Sequence, residues 1–149
     1  MDRRAAVLKT LSAAYFTFAG AALACGYCVE DKMAAAYDHA VVTRALGQKH
    51  HIAFFHVEGA LVPGDATKRA LEKVAESSIG VDKGSARASV EAATLSVAFD
   101  PQRSPVMALQ KDLERRLAAK QLSLMLLQVM DRPAQFSPSV SRALRVQGK

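Results

Sequence analysis

The spacing of apolar positions changes along the chain, and each change marks an element. Leu11 to Leu23 is apolar and uncharged, behind a start carrying Arg3, Arg4 and Lys9. From Val29 the period becomes helical. Val29, Met33, Ala36, Tyr37, Ala40 and Val41 recur every three or four residues, and Glu30, Asp31, Lys32, Asp38 and Arg44 fall mostly elsewhere. One helix over 29–46 is predicted, with Glu30 and Asp31 at the positive end of its dipole and Gly47 as its stop. At His50 the period drops to two: "HHIAFFHVEG" reads as a strand. "VPGD" is turn chemistry in which Asp65 can cap the next helix, over 66–77, whose apolar face is Ala70, Leu71, Val74 and Ala75. Strands over 86–91 and 94–100 follow, the second alternating Leu95, Val97 and Phe99 with Ser96 and Ala98. "DPQRSP" turns the chain into a helix over 106–120 with Leu109, Leu113, Leu117 and Ala118 inward. "LSLMLLQVM" at 122–130 is too short to cross a membrane as a helix and reads as a buried strand.

The order from His50 is strand, helix, strand, strand, helix, strand. That is the α+β, ferredoxin-like βαββαβ sandwich, with both helices on one sheet face. Strand alternation puts Ala53, Phe55 and Val57 toward those helices and Ile52, Phe54 and His56 on the other face. An exposed Ile and Phe side by side call for a cover: a partner, a second copy, or the 29–46 helix. The last would carry the segment before it, with both cysteines, to the sheet.

"VEAATLSVAFDPQRSPVMAL" resembles the second half of heavy-metal-associated domains, in which an alternating strand ends in an aromatic-Asp-Pro turn and a helix opens near Ser-Pro. "FFHVEG" is similar to that family's first strand, and "ATKRALEKVAESSIGV" to its first helix and following turn. The resemblance covers about residues 51 to 130 and implies a copper-chaperone-like fold. It implies metal binding only through a Gly-Met-x-Cys-x-x-Cys loop after the first strand. Counted from Gly59, those cysteine positions are Val62 and Asp65, neither of which offers a thiolate.

The two cysteines stand elsewhere, in "ALACGYCVEDK". Residues 1–24 have the basic start, apolar middle and Ala22-Leu23-Ala24 end of a signal peptide cut before Cys25. Two other readings are an uncleaved membrane helix and a lipoprotein, although the leucine usual three places before a lipidated cysteine is Ala22 here. Export, to the periplasm or another extracytoplasmic space, puts Cys25 and Cys28 where pairs oxidise unless a metal or reductant holds them. The division expected is 1–24 signal peptide, 25–49 C-x-x-C segment and helix, 50–131 ferredoxin-like domain, and 132–149 flexible basic tail.

A C-x-x-C at a helix start supports three activities. The pair can bind or hand on a soft ion, copper most readily or zinc, with His50, His51 or His56 completing a thiolate–imidazole site; the ligand set expected is Cys25, Cys28 and His56. It can exchange thiols and disulfides, with Cys25 attacking. It can be a structural disulfide in a module that binds a protein, or a metal-transfer partner, on the open sheet face. His39 reads as an exposed helical position, and Met33, Met107, Met125 and Met130 as core filling.

The net charge is +6 over the whole chain. Arg3, Arg4 and Lys9 against Asp2 contribute +2 of it, which leaves +4 from Cys25 onward, with no basic stripe or module that would read nucleic acid. Phosphate-loop, G-x-S-x-G and H-E-x-x-H motifs do not occur, so nucleotide-dependent and hydrolytic chemistry has no motif to rest on. The tail from Arg132 has no acid, and its basic charge could be drawn to an anionic membrane.

Overall fold

The computed structural model describes residues 28–133. The expected signal peptide and its alternatives, Cys25, and all but the first residues of the basic tail lie outside the described residues. The elements are α1 Val29–Ala35, α2 His39–Gly47, β1 His51–Glu58, α3 Asp65–Glu76, β2 Arg87–Ser89, β3 Thr94–Phe99, α4 Val106–Leu117 and β4 Ser123–Met130, with a 3-10 turn over Ala118–Lys120. The strands form one antiparallel sheet in the order β2-β3-β1-β4. None of the described helices is long and apolar enough to cross a membrane.

The two faces of β1 bury two separate cores. Ala53, Phe55 and Val57 join Leu71 and Ala75 of α3 and Leu109, Leu113 and Leu117 of α4. Ile52 and Phe54 join Val41, Val42 and Ala45 of α2, with Ala98 and Met130 beside them. Thus the second face is covered by the chain's own N-terminal helices, and the molecule has helices on both sides of its sheet. The partner expected on an open face would find that face already filled over Ile52 and Phe54. Burial of an Ile or Phe side chain contributes about 1.5–3 kcal/mol, which is why this layer closes.

The single helix expected over 29–46 is broken in two. Asp38 takes extended backbone (φ −125°, ψ 111°), and its carboxylate accepts from the Ala40 and Val41 amides, an N-cap for α2. Arg87 Nε donates to the same carboxylate at 2.8 Å. At the end of α1 the free carbonyl of Ala36 accepts from Ser96 Oγ at 2.6 Å, which fixes the corner to β3. Other bounds also move. β2 is three residues long, not six, because residues 90–93 turn back with Ala93 at φ +48°. Asp65 opens α3 as its first residue rather than capping it; the cap position belongs to Gly64, at φ +126°.

The Val41 amide, then Arg87, hold the Asp38 carboxyl below its ordinary range. A depressed carboxyl stabilises the fold fully above its unfolded value, near 3.8, and the contribution disappears as pH falls through the lower folded value. Asp38→Ala is therefore expected to lose about 1–2 kcal/mol at neutral pH, chiefly as the lost cap. Urea unfolding at neutral and strongly acidic pH checks it, since the gap between wild type and variant should narrow in acid. An equal gap at both would remove the carboxylate from the account.

Candidate functional site

Cys28 stands at the N-cap position of α1, its thiol exposed and free among the described residues, with no hydrogen bond from its side chain to the helix. Its carbonyl accepts from the Lys32 amide at 3.1 Å, so one helical turn separates the two residues. Lys32 then reaches the sheet: Nζ lies 3.0 Å from Nδ1 of His56. Farther along α1 the Ala36 carbonyl meets Ser96, which pairs with Phe54 across β1 and β3. Four helical residues advance about 6 Å, and two strand residues about the same. The helix thus runs along the sheet from the His56 row to the Phe54 row and holds Cys28 at the His56 end.

His56 Nδ1 also lies 2.8 Å from the Ala93 carbonyl. A carbonyl can only accept, so Nδ1 carries the hydrogen, and the lone pair is left on Nε2. Nδ1–H then cannot also accept from Lys32. The ammonium is a neighbour of the ring rather than its hydrogen-bond donor. The same Ala93 carbonyl takes the Val57 amide at 2.8 Å, so His56 clamps a turn whose alanine occupies the left-handed region. A backbone carbonyl on one ring nitrogen is the arrangement that commonly orients the other toward a metal.

The remaining histidines lie apart. His51 opens β1, five residues and about 17 Å of strand from His56, with its ring edge-on to Phe99. His50 precedes it and pairs with Asp82 at 2.8 Å, both half-buried. Neither reaches the His56 end of the sheet, so neither completes a site there. His39 is exposed at the start of α2. Val62 is exposed and Asp65 is the exposed first residue of α3, so the loop after β1 presents an apolar side chain and a carboxylate where the resembled family has thiols.

Among the described residues no three His, Cys, Asp or Glu side chains gather as a metal cluster. Of the expected ligand set, Cys28 and His56 are described, and Cys25 lies outside the described residues. The methionines divide: Met130 is buried and Met33 half-buried against the second core, but Met107 and Met125 are exposed at 68% and 47%. Met125 pairs with His56 across β1 and β4 and so shares its face. The sequence reading of all four as core missed this. It also missed Lys32, whose place one turn after Cys28 was the available signal. No family model, curated protein or solved structure matches the chain.

Proposed function

We propose that this is an exported small protein of ferredoxin-like, heavy-metal-associated topology that binds and hands on a soft metal ion, copper first, through Cys25 and Cys28. The observation supporting it is the anchoring of α1. Ser96 at Ala36 and Met33 against the second core hold the helix on the sheet, and the Cys28 thiol is left exposed, with no bond to the helix at whose tip it stands. The strand, helix and sheet order supports the topology.

Charge and coordination favour copper(I) over zinc. Two thiolates around Cu(I) leave one net negative charge, and the Lys32 ammonium lies at the same end of the helix. A structural zinc site takes four ligands. The described residues supply no cluster of three donors, and beyond them the chain has only Cys25 and Asp2 among such residues. Low-coordinate Cu(I), with soft thiolates, asks for less. The Nε2 of His56 is the candidate for one further ligand.

Thiol–disulfide exchange is the second reading, favoured by the same exposed thiol at a helix start. A competition titration of the reduced protein with Cu(I) against a coloured chelator separates the two. One equivalent retained per chain supports the carrier. No retention, together with reduction of an insulin-type disulfide, transfers the assignment to exchange.

A further inference from the structure

A groove of about 580 Å³ runs between α1 and the edge strand β4, walled by Glu30, Asp31, Met33 and Tyr37 on one side and Met130 and Asp131 on the other. Its floor is apolar, and its rim carries three carboxylates against the single cation Arg132. Pro133, the last described residue, lies on that rim, and sixteen residues follow it in the sequence.

We propose that residues 137–149 of this same chain occupy the groove. Three observations select this occupant. The described residues end at the groove, and four residues, 134–137, span up to about 13 Å, enough to reach back into it. The segment contains Arg142, Arg145 and Lys149 and no acid, the complement of the rim. Its pattern is amphipathic: Ser137-Pro138 is helix-opening chemistry, Val140 and Leu144 fall four apart, and the three basic residues fall on the opposite face. Val140 and Leu144 seat against Met33, Tyr37 and Met130, while the long basic side chains reach the rim from above. A second groove, beside Val42 and Leu46, shares Asp131 and Arg132 but has no other acid, so charge directs the segment to α1. The docking stands whether or not the cysteines carry metal.

Limited trypsin digestion of the full-length protein tests this, with the initial cuts after Arg142 and Arg145 followed by mass spectrometry. The Glu30→Gln/Asp31→Asn protein should be cut about three- to tenfold faster at both sites, and added salt should speed the wild type toward the same rate. Tyr37→Ser, which removes an apolar wall, should do likewise with the circular dichroism of the fold unchanged. Cleavage at one rate in all three proteins, equal to that of the free 134–149 peptide, would overturn the docking. Protection that grows with protein concentration would overturn it in favour of a second copy's segment.

Discussion

Phe54→Ala is expected to lower stability by about 3–5 kcal/mol and to release α1 and α2 from the sheet. Phe54 is fully buried at the centre of the second core, between Ser96 of β3 and Gln128 of β4 and beneath Val41, Val42 and Ala45. Few large side chains fill this layer, so neighbouring residues cannot collapse into the space a ring leaves. Phe55, one residue on, is buried just as completely but belongs to the larger core under α3 and α4. Phe55→Ala should therefore loosen the whole fold, whereas Phe54→Ala should act first on residues 29–47. Hydrogen exchange resolves the two: the α1–α2 amides should lose protection in Phe54→Ala before those of α3 and α4. Uniform loss would mean that the two layers unfold as one. Since a domain has only about 5–15 kcal/mol to lose, Ile52→Val, at about 0.5–1.5 kcal/mol, provides the same comparison in a chain that stays folded.

The face assignment was legible because alternation is a local property. Once His50–Glu58 reads as a strand, Ile52 and Phe54 must part from Ala53 and Phe55. The absence of thiols at Val62 and Asp65 was equally plain. What stayed hidden depends on residues far apart in the chain. Asp38 reads as a polar position in a continuous helix until Arg87 and the Ser96 hydroxyl supply partners for a corner. Ala93 gives no sign of a left-handed turn, since alanine disfavours it. The ring and amide that hold that turn come from His56 and Val57 on another strand. β4 looks buried throughout because seven of the nine letters of 122–130 are apolar. Its place at the sheet edge, and the register shift opposite Phe54 and Phe55, expose Met125 and Gln128 instead. An edge is a fact about neighbours, and a strand's own composition does not record it.

Cys25→Ser/Cys28→Ser is expected to abolish retention of Cu(I) in the chelator competition while leaving unfolding almost unchanged. A serine hydroxyl is a hard, protonated donor where the ion requires a soft thiolate, so each exchange removes a ligand outright. The loss should exceed the roughly 10–100-fold that follows removal of an outer-shell partner. Stability should hold because the Cys28 thiol makes no hydrogen bond to its helix and is exposed. If the variant instead unfolds at markedly lower denaturant and the wild-type pair resists reduction, the cysteines are a staple and the carrier reading fails. His56 is tested separately, because its ring already binds the Ala93 carbonyl. His56→Ala removes one of the two donors on that carbonyl, the Val57 amide remaining, and should destabilise the protein by about 0.5–1.5 kcal/mol. If its Cu(I) affinity also falls while the protein is still folded, Nε2 is a ligand. If affinity is unchanged, the imidazole is only a clamp and the ion is held by sulfur alone. Lys32→Met sharpens the distinction: it removes the ammonium that offsets a bis-thiolate complex, so its penalty should shrink as salt is added. A third neutral ligand would show no such salt dependence.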